Sequence, residues 1–163
     1  MSARSVSSRR GFSLVEAIVV IVVVSLLVPP SVSMLREAQT MRVDSANASR
    51  ASVLARAVME QVLADASSPA PALGMAALAS APDYLDAPGT GLRARMGTVT
   101  AAYDTLGLTW DVSIGGLVSA SGAADADSSR NIYRVVEVTV SWNSARGGAR
   151  TYTLSSIVTD LTP

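Results

Sequence analysis

Residues 11–28 read GFSLVEAIVVIVVVSLLV, directly after the polar, basic decapeptide MSARSVSSRR and directly before Pro29 and Pro30. Between residues 12 and 28 only Ser13, Glu16 and Ser25 interrupt the apolar run. As a helix rising about 1.5 Å per residue, it spans roughly 26 Å, near the lower end of what crosses a bilayer. Arg9 and Arg10 precede it, and by the positive-inside rule they hold the N-terminus in the cytoplasm and place the remainder outside. Glu16 is the informative exception, because a carboxylate in hydrocarbon costs about 3 kcal/mol unless paired or protonated. No basic residue lies within the run, and the nearest guanidinium is that of Arg10. A cut between Gly11 and Phe12 would resolve this. The new Phe12 amine, with an unperturbed pKa of about 7.7–8.0, would lie one helical turn from Glu16, and the amine of a neighbouring subunit could supply the same charge.

The segment Gly11-Phe12-Ser13-Leu14-Val15-Glu16, between a short basic leader and a long apolar run, resembles the class III signal of type IV pilins and type II secretion pseudopilins. The resemblance covers about 20 residues, roughly one membrane-spanning length. It implies that a membrane prepilin peptidase cuts after Gly11 and methylates the Phe12 amine. It also implies that Glu16 pairs with the N-terminal amine of an adjacent subunit during filament assembly. The expected organisation is a leader at 1–11, a transmembrane helix at 12–30, an amphipathic helix at 31–66 and a β-rich extracytoplasmic part at 67–163. One departure from the family pattern is the adjacent pair Pro29-Pro30, where many pilins carry a single, slightly later proline. Proline removes an N–H and disfavours helical geometry before it, so a kink or local unwinding is expected near residues 28–30.

Other readings of the N-terminus stay open. Ser31-Val32-Ser33 is a small-x-small site at which an ordinary secretory signal is cut. Ser8-Arg9-Arg10-Gly11-Phe12 resembles a twin-arginine signal. The run also fits an uncut anchor.

Composition narrows the chemistry. The chain has 13 basic and 13 acidic residues, every base is arginine, and there is no lysine, histidine or cysteine. This removes Ser–His–Asp and Cys–His catalysis, the usual zinc ligand sets, the Schiff-base lysine and the P-loop lysine. Only carboxylate pairs remain for catalysis. Beyond the leader the chain is slightly acidic, with no basic block for a nucleic acid. Arg93 and Arg95 read as solvated loop charges. No cofactor is expected.

Residues 31–66 lack glycine and proline and are rich in helix formers. Leu54, Ala57, Val58, Gln61 and Val62 mark one helical face, with a thinner stripe at Leu35, Ala38 and Met41. Residues 67–91 read as a Ser/Pro/Ala/Gly loop with a short helical turn near 75–79. Segments 98–103 and 106–114 are β-prone, with Leu108, Trp110, Val112 and Ile114 alternating onto one face. Residues 115–130 form a small-residue loop. The clearest strand is 131–142, where Val136, Val138, Val140 and Trp142 share a face. A turn at 143–148 leads to a strand at 151–159. The fold class is α+β, a long N-terminal helix packed on a small antiparallel sheet, and the final hairpin is similar to that of minor pilins and minor pseudopilins.

Candidate sites in the rest of the chain are weak. Asp125 and Asp127, with Ser129 and Asn131, alternate like the oxygen ligands of a calcium loop. Position six is Arg130 and position twelve Val136, so the EF-hand pattern fails and a solvated acidic loop is the plainer reading. Asp83 and Asp86 fit turn chemistry better than acid–base work. Arg146-Gly147-Gly148 is hairpin-turn material, because no helix follows it. Trp110 and Trp142 read as sheet-core residues. The functional expectation is a structural subunit, with prepilin peptidase, other pilin or pseudopilin subunits and the inner membrane as partners. The alternatives are an exported soluble binding protein beginning near Met34, and an exported enzyme that uses carboxylates alone.

Overall fold

A computed structural model describes residues 13–70 and 72–159. The elements are α1 (Leu14–Ala66), α2 (Ala81–Asp86), α3 (Leu92–Asp104), β1 (Thr109–Val118), β2 (Tyr133–Asn143) and β3 (Ala149–Thr159). Single 3-10 turns occur at Ala77–Ala79 and Ser128–Arg130. The chain divides into two compact units, the first ending at Met41 and the second beginning at Arg42.

In the first unit α1 carries the apolar run, which is long and apolar enough to cross a membrane and has none of its most apolar stretch buried. Helical structure continues through Pro29 and Pro30, so the expected local unwinding does not occur. The two prolines forfeit only the ladder bonds to the carbonyls of Ser25 and Leu26. Unwinding would expose several more backbone groups, each costing several kcal/mol (roughly 4–8) in hydrocarbon. The serines nearby satisfy their own hydroxyls within the helix: Ser25 donates to the Ile21 carbonyl (2.7 Å), Ser31 to Leu27 (2.8 Å) and Ser33 to Pro30 (2.8 Å).

In the second unit the helix from Arg42 to Ala66 packs on a three-stranded antiparallel sheet of order β1-β2-β3. The buried helical face is Ala51, Leu54, Ala55, Val58 and Val62, all without solvent exposure. Its spacing is that of one stripe, and its two alanines let the sheet approach closely. The stripe at Leu35, Ala38 and Met41 stays exposed. Opposite the buried stripe lie Val136, Val138 and Val140 of β2, also fully buried, with Val112 of β1 and Val158 of β3. Burying each such aliphatic side chain contributes about 1.5–3 kcal/mol. β2 and β3 pair without a shift from Tyr133↔Thr159 to Asn143↔Ala149, whereas β1 is interrupted by a bulge between Ile114 and Leu117.

The β-prone segment 98–103 is helical and belongs to α3. Leu92, Met96 and Thr100 are buried, and a four-residue spacing is what a helix buries on one side. That tertiary face outweighs the β preference of Thr98, Val99 and Thr100. The bulge also carries β1 four residues further than expected, to Val118. Within the expected loop at 67–91 lie the first 3-10 turn and α2.

Candidate functional site

The sequence places the functional signal at the N-terminus. Arg9, Arg10, Gly11 and Phe12, and with them the expected leader, lie outside the described residues. Glu16 lies in the first turn of α1 and is exposed, where a carboxylate suits the positive end of the helix dipole. Ser13 begins the helical hydrogen bonding, its carbonyl accepting from Ala17 N–H at 3.0 Å. Among the described residues Glu16 has no ion-pair partner, so its charge is available to a group outside this set. Beyond it, Val24, Leu27, Val28, Ser31, Val32 and Leu35 line a shallow apolar groove along the helix.

The second unit carries two polar clusters that sequence reading missed. Asp65, 3% exposed at the end of α1, accepts from both terminal nitrogens of Arg95 (2.8 and 2.6 Å), from the Tyr84 hydroxyl (2.6 Å) and from Gln61 Nε2 (2.9 Å). Burial pushes the Asp65 carboxyl up, but these hydrogen bonds and the Arg95 charge outweigh it and hold the group below the usual carboxylate range. The hydrogen bond to Asp65 raises Arg95, and burial followed by the Asp65 carboxylate raises Tyr84. Arg95, expected to be a solvated loop charge, is therefore the clamp between α3 and the end of α1. Arg93 is tied down too. It pairs with Asp86 (2.9 Å) and Asp111 (2.6 Å), and its guanidinium lies 5.1 Å from the Trp110 ring centroid.

In the second cluster, Asp44 on α1 receives the Ser144 hydroxyl (2.6 Å) and the Ala145 N–H (3.0 Å) from the β2–β3 turn. The Ser144 bond and then the Ala145 bond hold its carboxyl below the usual range. Gly147 and Gly148 give that turn its two left-handed positions, at φ 86° and 89°. A faint sequence signal existed for the first cluster. Asp65 continues the buried progression 58, 62, 65, and an acid on an apolar stripe demands a partner. Arg134 likewise continues the inward alternation of β2. It is 5% exposed and donates through one nitrogen to the Leu78 and Gly115 carbonyls (3.1 and 2.7 Å), while its Nε has no partner among the described residues.

The remaining candidates are committed to local structure. Asp125 accepts from Asp127 N–H, Asp127 from Ser129 N–H and hydroxyl, and Asn131 from Asp125 N–H. Arg130 lies 3.9 and 3.7 Å from the two carboxylates. The acidic pair is thus turned into its own loop and shares one guanidinium. Asp83 accepts the Ser80 hydroxyl. Trp142 is buried and Trp110 partly buried in the core. The described residues contain no group of three or more acids placed to hold a metal.

These features define a protein with an apolar helical anchor and a small α+β domain whose polar clusters serve packing. The family model described as the prokaryotic N-terminal methylation motif matches residues 6–28. This match supports a type IV pilin-like protein, and that family is structural rather than catalytic. The motif implies processing by prepilin peptidase and assembly with other pilins in a membrane-associated machine. No curated protein and no solved structure matches the chain.

Proposed function

We propose that this protein is a minor subunit of a type IV pilus or of a type II secretion pseudopilus. The observation that carries the reading is the methylation motif at residues 6–28, within which Glu16 follows Phe12 by one helical turn. Prepilin peptidase releases Phe12 by cutting after Gly11. The apolar helix stays in the inner membrane until it joins a bundle of like helices. There Glu16 is neutralised by an N-terminal amine, which offsets the cost of holding a carboxylate in hydrocarbon. The α+β domain lies on the far side of the membrane. The lack of cysteine pairs favours a minor over a major subunit.

The test is mass spectrometry of the mature N-terminus from native membranes, with Glu16→Val as companion. A chain beginning at a methylated Phe12, with Glu16→Val inserting normally but failing to enter filaments, is the expected result. A chain beginning near Met34 would make the apolar run a discarded export signal and overturn the reading. Normal filament entry of Glu16→Val would remove the pairing role.

A further inference from the structure

Arg134 is a buried cation without a counter-ion among the described residues. It is 5% exposed, on the inner face of β2, between Leu117 of β1 and Val158 of β3. A guanidinium stays protonated at any pH at which a protein is folded, so burial does not remove its charge. Holding such a charge in the interior unpaired is costly. Yet none of the ion pairs among the described residues includes Arg134. Its bonds to the Leu78 and Gly115 carbonyls use two of its protons but bring no opposite charge.

Both of those bonds leave from Nη1. Nε is buried and makes none, and Nη2 makes none among the described residues. These two nitrogens form one edge of the flat guanidinium, with parallel N–H donors that match the two oxygens of a carboxylate. Arg95 shows the same domain filling such a fork, its Nη1 and Nη2 reaching Asp65 at 2.8 and 2.6 Å. Anchoring Nη1 on Leu78 and on Gly115 of β1 turns the Nε–Nη2 edge of Arg134 away from β1. On the other side of β2 lies β3.

We infer that the Nε–Nη2 edge of Arg134 is a carboxylate-binding site. The chain carries a carboxylate in register for it. β3 ends at Thr159, opposite Tyr133, and the next residue in the sequence is Asp160, which lies outside the described residues. Arg134 pairs with Val158, and side chains alternate along a strand. One further residue of the same register would therefore put position 160 on the inner face, diagonal to Arg134. Diagonal neighbours lie about 7–8 Å apart, within reach of a side chain as long as arginine. A small carboxylate from solution offers the same chemistry, and the two sources are separable. With Asp160 in place, one cation ties together the turn at Leu78, the β1 bulge and the end of β3.

Urea unfolding of the full-length protein in detergent micelles tests the site. With Asp160 as the source, Asp160→Asn lowers the folding equilibrium constant by about tenfold or more, but by less than about twofold when Arg134 is already replaced by Met. With a solution carboxylate as the source, Asp160→Asn has no such effect. Sodium acetate then stabilises the parent beyond an equal concentration of sodium chloride, and does not so stabilise Arg134→Met. Either pattern supports the site. It is overturned by an Asp160→Asn effect that is absent or equal in both backgrounds, together with no Arg134-dependent response to acetate. Should Arg134→Met not fold, the Arg134 Nε–H proton decides by nuclear magnetic resonance. Its exchange with solvent should quicken several-fold in Asp160→Asn or slow on addition of acetate, and a rate indifferent to both overturns the inference.

Discussion

At the scale of single residues, the Asp65 cluster carries more of the domain than its size suggests. Its carboxylate takes four hydrogen bonds from three side chains and is almost fully buried. Asp65→Asn leaves Arg95 without its counter-charge and is expected to cost about 3 kcal/mol, checked by urea unfolding at pH 7. The pH dependence follows from linkage. The folded-state pKa lies below the unfolded value, so the contribution is fully present above the unfolded carboxylate pKa of about 3.9 and is lost as pH falls through the folded value. In Asp65→Asn that part of the acid sensitivity should vanish, and a variant as acid-labile as the parent would exclude Asp65 as its source. This residue was half legible in the sequence. Its place on an apolar stripe could be read, but two of its three partners, Tyr84 and Arg95, are 19 and 30 residues away. Glu16 was the opposite case, since its meaning comes from neighbours within one turn.

Among elements, legibility followed how strongly each periodicity was enforced. The inward valines of β2 alternate strictly, and the strand was placed within two residues at its start and one at its end. The helix over 31–66 was equally plain, for want of any breaker. α3 was not, because Gly97 and three residues favouring strands sit in its middle, and only the burial of Leu92, Met96 and Thr100 in the folded domain selects the helix. Its two glycines behave oppositely. An added Cβ at Gly97 meets nothing, so Gly97→Ala should stabilise the domain by about 0.5–1 kcal/mol. At Gly91, just before α3, a Cβ would lie 2.6 Å from the Leu85 carbonyl oxygen and 2.7 Å from Ala87 N. Gly91→Ala should therefore cost about 1–3 kcal/mol. Thermal unfolding of both variants checks the pair, and equal shifts of one sign would contradict this account of α3.

For the whole molecule, the class of fold was readable because the chain presents its parts in order: apolar run, polar helix, strands. Every buried residue among those described lies at Asn47 or later. A fragment beginning at Arg42 should therefore unfold cooperatively with a melting temperature within a few degrees (about 4 °C, or 1 kcal/mol) of the full chain in micelles. A fragment without a cooperative transition would show that the domain borrows stability from its anchor. The contacts that complete the domain are unequal in reach. The β2–β3 hairpin joins neighbours through a short turn, but the Asp44–Ser144 bond closes over 100 residues. Chain-closure entropy is spent before such a contact returns anything. The hairpin thus belongs to the early phase of folding and the Asp44 clasp to its end, after the rate-limiting barrier. Asp44→Ala should then hasten unfolding several-fold while leaving the refolding limb of a chevron plot in place. The clasp is a latch on the finished domain, setting how long it stays folded rather than how quickly it gets there.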